Sequence, residues 1–82
     1  MSELYIFRSA LKHGCSEEDI EKAFFGAVCE IVEQSDPRKV IRLGFDRVGR
    51  LLEVGAIVEE DIRVFHAMKA RTRYIEEAER RK

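Results

Sequence analysis

The chain has 82 residues, of which 45% are apolar and 38% charged, and its net charge is −1. A chain of this length holds one domain, residues 1–82, with one modest core, and its apolar content excludes a disordered protein. No stretch approaches the roughly 20 apolar residues that span a bilayer, and the N-terminal residues do not resemble a secretion signal. We therefore expect a cytoplasmic protein that makes no membrane contact.

The N-terminal third of the chain is predicted to be mainly helical. Residues 4–7 fit either a short strand or the start of a helix, and residues 8–13 favour a short helix that stops at Gly14. The acids that follow Ser16 resemble a helix-capping sequence. Beyond them, four apolar residues recur at the spacing of a buried helix face: Ile20, Ala23, Phe24 and Ala27.

After residue 27 the pattern changes to that of strands separated by turns. A turn is indicated around Pro37, and further turns at residues 46–49 and 59–61. The predicted strands are residues 28–33, 40–45, 51–58 and 62–68, and the nearly continuous apolar character of residues 51–58 favours a central position. Ala70, Tyr74 and Ala78 predict a final helix. The predicted class is α+β, with N-terminal helices, an antiparallel sheet of about four strands and a C-terminal helix.

Alternation along two strands predicts which side chains share a face of the sheet. In residues 40–45, one face is expected to carry Ile41, Leu43 and Phe45, and the other Arg42 and Gly44. In residues 62–68, one face is expected to carry Ile62, Val64 and His66, and the other Arg63, Phe65 and Ala67.

The charge distribution is uneven although the total is small. Residues 1–35 contain three basic and seven acidic residues, whereas residues 36–82 contain twelve basic and nine acidic residues. A local basic field of this kind attracts polyanions. There is no glycine pattern for a nucleotide and neither histidine has a neighbour at metal-ligand spacing, so we expect no metal and no cofactor. Cys15 and Cys29 lie in no CxxC pattern and are expected to be free thiols.

Basic and aromatic residues form a set suited to cleaving RNA without a metal. This chemistry needs a base for the ribose 2′-hydroxyl, cations for the phosphate and an acid for the leaving 5′-oxygen. Histidine titrates near neutrality and can serve as either acid or base. The set consists of Lys12, His13, Arg42, Arg47, Arg50, His66, Lys69, Arg71, Arg73 and Tyr74.

The same residues also have structural interpretations. His13 beside Gly14 fits a helix end, and His66 on an apolar face fits a buried histidine with a hydrogen-bond partner. Tyr74 lies on the apolar stripe of the last helix. The arginines around the predicted hairpin fit a solvated surface.

Several short motifs, in order and spacing, resemble the BrnT toxins of bacterial type II toxin–antitoxin systems. Lys12-His13-Gly14 precedes an acidic helix at residues 16–25. Arg42-Leu43-Gly44 leads into a turn, and Arg50-Leu51-Leu52-Glu53-Val54 begins the next strand. The last strand runs into His66-Ala67-Met68-Lys69-Ala70, and a basic segment with Arg71, Arg73 and Tyr74 follows. The resemblance covers residues 11–74.

This resemblance implies a RelE-like fold and a ribonuclease toxin that inhibits translation and is held inactive by a cognate antitoxin protein. Under this hypothesis the catalytic residues are His66, as the favoured acid or base, His13 and Arg71. RNA is then bound by Lys12, Arg42, Arg47, Arg50, Lys69, Arg73 and Tyr74.

Two other functions stay open. The BrnT-like sequences carry Ser-Ala-Arg-Lys-Ala where this chain has residues 66–70, so the family's arginine falls on Met68. Met68 and the net charge of −1 favour a non-catalytic interaction module or degenerate toxin, which could form a homodimer through strand edges. The basic stretch at residues 38–50 favours a protein that binds nucleic acid without cleaving it.

Overall fold

The structure is a computed structural model that describes residues 3–81. Its elements in chain order are β1 (Leu4–Ile6), a 3-10 turn (Arg8–Leu11), α1 (Glu17–Phe25), β2 (Cys29–Ser35), β3 (Arg38–Phe45), β4 (Leu51–Val58), β5 (Ile62–Lys69) and α2 (Thr72–Arg80). Cys15 and Cys29 are free thiols, as expected. Within residues 3–81 no helix is long and apolar enough to cross a membrane.

The five strands form one mixed sheet in the order β1-β5-β4-β3-β2. Strands β2 to β5 are antiparallel neighbours, and β4 lies in the centre, so the α+β class and the antiparallel meander are confirmed. The predicted counts of helices and strands are wrong at the N-terminus. The short run Leu4–Ile6 is a fifth strand, parallel to β5, and the helix expected at residues 8–13 is a single 3-10 turn.

The parallel edge strand has a physical reason. Three residues are too few to form an isolated helix, but they can extend the hydrogen-bond ladder of β5. The backbone N–H of Ile62 donates to the Glu3 carbonyl at 2.8 Å, and that of Phe7 donates to the Val64 carbonyl at 2.9 Å. The chain then turns back over the sheet.

One face of the sheet packs against α1. The Ser16 hydroxyl caps this helix by accepting from the Asp19 backbone N–H at 3.1 Å, as the sequence predicted. A Cβ placed at Gly44 would lie only 1.9 Å from the backbone oxygen of Ala23, so the glycine lets α1 lie directly on β3. The core on this face consists of Ala10, Ile20, Ala23, Phe24, Val40, Leu52, Val54, Ala56, Ile62, Val64 and Ala67.

The opposite face is covered only in part. Tyr74 of α2 packs there with Ile31, Ile41 and Leu43, from β2 and β3. The predicted face of β3 is therefore confirmed for Ile41 and Leu43. Two side chains of β5, Phe65 and His66, belong to neither apolar cluster and stay partly exposed.

A β-bulge in β5 changes the face pattern that alternation predicted. Gly55 pairs with His66, but the next residue of β4, Ala56, pairs with Val64, so Phe65 is an extra residue in the ladder. The shared face predicted for Ile62, Val64 and His66 is wrong, because one extra residue reverses the alternation. Ala67 is buried with Ile62 and Val64, and His66 lies on the side of the sheet that carries α2.

Candidate active site

A cleft of about 270 Å³ lies on the partly covered face, beside the start of α2. Its residues come from the 3-10 turn and the segment after it, from β2, β3 and β5, and from α2. Four of them belong to the set predicted from the sequence: Lys12, His66, Arg71 and Tyr74. The others are Ser9, Glu33, Lys39, Ile41 and Phe65.

Glu53 is a fully buried carboxylate in the central strand that joins two of the cleft residues. Its Oε2 lies 2.8 Å from Nε2 of His66 and accepts from Nη2 of Arg71 at 2.8 Å. Its Oε1 accepts from the backbone N–H of Arg71 at 2.8 Å and from Nε of Arg71 at 3.1 Å. A buried carboxylate requires such partners, because an unpaired one would be strongly unfavourable. Glu53 therefore fixes both the imidazole and the residue that begins α2.

The ionisation of Glu53 decides which nitrogen of His66 is available. Burial by itself raises the pKa of Glu53, but the hydrogen bonds from the side chain and backbone of Arg71 and from His66 outweigh it, and the pKa lies below its ordinary value. An ionised carboxylate only accepts hydrogen bonds, so Nε2 of His66 must donate. The Nδ1 atom of His66 has no hydrogen-bond partner among residues 3–81, and whenever the ring is neutral with Nε2 donating, Nδ1 carries the lone pair.

The second histidine, His13, lies next to His66, and the β-bulge helps to hold it there. The Ser9 hydroxyl donates to the carbonyl of Phe65, the bulged residue, at 2.7 Å and so anchors the 3-10 turn beside β5. Lys12 and His13 follow that turn, which Gly14 ends at a φ of +82°. The rings of His13 and His66 meet edge to face, with their centroids 6.0 Å apart. The structure thus brings together the two histidines that the sequence singled out.

The cations of the cleft are available to a ligand. Within residues 3–81, Lys12 makes no hydrogen bond or ion pair, and the Lys39 amine only lies over the Phe65 ring, 5.1 Å from its centroid. The Arg71 guanidinium is held by Glu53, but its side chain is 45% exposed and its Nη1 has no partner among the described residues. A phosphate in the cleft would meet two amines without an ion-pair partner among the described residues, Lys12 and Lys39, and the exposed side of the Arg71 guanidinium, whose charge is paired with Glu53.

Tyr74 and Arg73 close the α2 end of the cleft. Nη2 of Arg73 donates to the Tyr74 hydroxyl at 2.8 Å, and that hydroxyl donates to Oε1 of Glu33 at 3.1 Å. Burial and the nearby charge of Glu33 raise the pKa of Tyr74, so its hydroxyl stays protonated. The ring is buried, as the helical stripe predicted, while the hydroxyl reaches the cleft.

The two hairpin arginines are engaged in ion pairs away from the cleft. Nε of Arg47 donates to Asp19 of α1 at 2.8 Å, and the Arg47 backbone N–H donates to the same oxygen at 3.0 Å. Nε of Arg50 donates to the buried carboxylate of Asp46 at 2.7 Å. These bonds hold the β3–β4 turn and fasten it to α1.

Two further predicted RNA-binding residues are also separate from the cleft. Arg42 lies on the α1 side of the sheet, where its guanidinium is 4.1 Å from the centroid of the Phe24 ring and Nε donates to Glu30 at 3.3 Å. Lys69 is exposed at the end of β5 and, by alternation, shares its side of the sheet with Ala67. The predicted set therefore divides between a cleft and a scattered group of surface cations.

Sequence reasoning did not name as site residues six residues of the cleft and its support: Ser9, Glu33, Lys39, Ile41, Glu53 and Phe65. Glu53 left a usable signal, because a single acid within an otherwise apolar central strand must be paired if the strand is buried. The others left no signal that marks them as part of a cleft. Phe65 lies on the face opposite Val64, as alternation predicts, and Ser9 is placed by its bond to the Phe65 carbonyl.

The ion pair between Arg47 and Asp19 predicts a pH dependence of stability. Hydrogen bonds from the side chain and backbone of Arg47 lower the pKa of Asp19 from 3.8 to about 2. A lowered carboxyl pKa stabilises the folded state above the ordinary pKa, and this stabilisation is lost as pH falls through the folded-state value. We expect the free energy of unfolding to fall between pH 4 and pH 2, and to fall less in Asp19→Asn. Urea denaturation at each pH measures both, and equal falls in the two proteins would contradict this prediction.

Among residues 3–81, no group of three or more His, Cys, Asp or Glu side chains is arranged to hold a metal ion. Comparison of the chain with protein-family models, with curated proteins and with solved structures found no match.

Proposed function

We propose that this chain is a metal-independent endoribonuclease of the BrnT type, the toxin of a toxin–antitoxin pair, and that the cleft is its active site. One observation carries the proposal: the rings of His13 and His66 meet beside Lys12, a cation without an ion-pair partner among the described residues. An acid–base pair next to free positive charge is what cleavage through the ribose 2′-hydroxyl requires.

His66 is assigned as the general base. With Nε2 held by Glu53, the Nδ1 lone pair of His66 takes the proton of the 2′-hydroxyl. The 2′-oxygen then bonds to phosphorus while the bond from phosphorus to the 5′-oxygen breaks. His13 in its protonated form gives a proton to that leaving oxygen. The products are a 2′,3′-cyclic phosphate and a 5′-hydroxyl, and the two histidines exchange protonation states.

The positive charge for the crowded phosphate is assigned to Arg71 and the two lysines of the cleft, Lys12 and Lys39. Met68, at the position of the family's arginine, lies opposite Glu53 in the register of β4 and β5. Arg71 reaches the same carboxylate from the start of α2. In this proposal Arg71 supplies the charge that Met68 lacks.

The proposal has a direct mutational test. His66→Ala removes the base and one of the two partners of Glu53, while the bonds from Arg71 to Glu53 stay, so we expect a folded variant whose cleavage of single-stranded RNA is lower by a factor on the order of 10² or more. Expression of the original chain should arrest bacterial growth, and expression of His66→Ala should not. His13→Ala should show the same two losses. Cleavage is followed on a labelled RNA, and the 2′,3′-cyclic end is identified by mass spectrometry.

Arg80→Gln is the matched control, because Arg80 lies at the far end of α2 and, among residues 3–81, its ion pair is with Glu77. This variant should cleave RNA and arrest growth like the original chain. Undiminished cleavage by His66→Ala would overturn the assignment of the base. A folded original chain that neither arrests growth nor cleaves RNA would overturn the ribonuclease function.

The salt dependence of RNA binding tests which cations hold phosphate. RNA affinity falls as salt rises, and each cation that binds a phosphate of single-stranded RNA makes the negative slope of log affinity against log salt steeper by about 0.7. We expect Lys12→Gln and Lys39→Gln each to make that slope shallower by about 0.7. Arg50→Gln should leave it unchanged, because Arg50 is already bonded to Asp46. Fluorescence anisotropy with an RNA that lacks the reactive 2′-hydroxyl gives the affinities. An equal change of slope in Arg50→Gln would contradict this prediction and would mean that the β3–β4 turn also binds RNA.

An interaction module on the same fold is a second candidate, favoured by an exposed apolar groove. Val28 and Phe45 are 68% and 45% exposed, and they line this groove together with Ile75 of α2. Exposed apolar surface of this kind marks protein contact sites. In the toxin proposal the groove receives the cognate antitoxin in the cytoplasm. In a non-catalytic module or a homodimer it is the functional surface itself, and a stable complex with no cleavage and no growth arrest would favour that function.

A further inference from the structure

Phe65 is a partly exposed aromatic residue on the floor of the cleft, next to His66. It is the extra residue of the β-bulge and belongs to neither apolar cluster of the protein. Phe65 packs against β4 but is only partly buried, and it lines the cleft.

The position of the ring is fixed by the strand beneath it. A Cβ placed at Gly55, in the central strand, would lie 3.1 Å from Cζ of Phe65 and 3.2 Å from its Cε1. The absence of a side chain at Gly55 therefore gives the ring room to lie against β4. The Ser9 hydroxyl bonded to the Phe65 carbonyl holds the backbone at the same point. The ring therefore lies against β4 within the cleft.

Three cations lie in the same cleft as this ring. The Lys39 amine lies 5.1 Å from the ring centroid, and Lys12 and Arg71 line the same cleft. An aromatic face beside cations is the arrangement that binds single-stranded nucleic acid, because the ring stacks on a base while the cations hold the backbone. Lys39 can leave the ring for a phosphate when a base takes its place.

We propose that Phe65 stacks on an unpaired nucleobase next to the phosphate held at His13 and His66, and so selects single-stranded RNA. This inference rests on the ribonuclease function proposed above and adds a subsite to it. A base inside a duplex has both faces covered by its neighbours and cannot stack on Phe65. Phe65 is thus a specificity residue that favours an unpaired nucleotide beside the two histidines.

The test compares variants of the protein with variants of the ligand. The probe is a short single-stranded oligonucleotide with 2′-O-methyl riboses, which cannot be cleaved through the 2′-oxygen, and its binding is measured by fluorescence anisotropy. A matched series replaces one base at a time by an abasic residue. We expect Phe65→Leu to weaken binding of the intact oligonucleotide about tenfold. For one abasic oligonucleotide of the series, Phe65→Leu and the original chain should bind alike.

Failure of the stacking inference and failure of the proposed ribonuclease function give different results. Phe65→Tyr keeps the aromatic face and should bind the intact probe like the original chain. If Phe65→Leu weakens every probe equally, the stacking inference is overturned while RNA binding stands. If the original chain binds no probe, the ribonuclease function is overturned as well. Should Phe65→Leu not fold, the abasic series measured with the original chain decides. Removal of the stacked base from the oligonucleotide must then weaken binding to the original chain about tenfold.

Discussion

The buried carboxylate of Glu53 is the interaction on which the arrangement of this protein depends. It lies in the central strand, is fully buried, and is satisfied by Arg71 on one side and His66 on the other. Removing either partner would leave a buried charge with unmet hydrogen bonds, which is costly in a low-dielectric interior. The position of α2 and the orientation of the imidazole are therefore set by the same group.

The β-bulge at Phe65 determines on which face of the sheet His66 lies, which the carboxylate alone does not. Without the extra residue, His66 would point toward α1 with Val64, away from Glu53 and the cleft. With it, His66 lies on the open face, Phe65 lies beside it, and the Phe65 carbonyl receives the Ser9 hydroxyl. One irregularity in β5 thus connects the sheet, the 3-10 turn and both histidines. Bulges often have this role near functional sites, where they change the direction of a side chain.

Regular elements could be predicted from the sequence because their signals are local. The strands of the meander and the helix capped by Ser16 follow from alternation, helical spacing and turn residues. The faces of β3 followed from the same alternation. For strand β1 the same signals left a strand and a helix start open, because three residues carry too little pattern and pair with a segment far along the chain.

The site could be predicted only in part. His13, His66, Lys12, Arg71 and Tyr74 were named from residue type and from a family resemblance, and the structure brings them together. Arg47 and Arg50 have the same residue type, but carboxylates that lie far away in sequence, or in a turn, already bind them. Residue type cannot separate a free cation from a paired one. That difference depends on tertiary contacts, as does the face on which His66 lies.

The tautomer of His66 is the most direct measure of the central claim, that Glu53 holds Nε2 and leaves Nδ1 to the cleft. Two-dimensional NMR that correlates the ring nitrogens with the ring protons distinguishes the two neutral forms. At a pH where the imidazole is neutral, we expect His66 to carry its proton on Nε2, with Nδ1 unprotonated. A His66 ring protonated on Nδ1 would contradict the bond to Glu53 and the assignment of the base that depends on it.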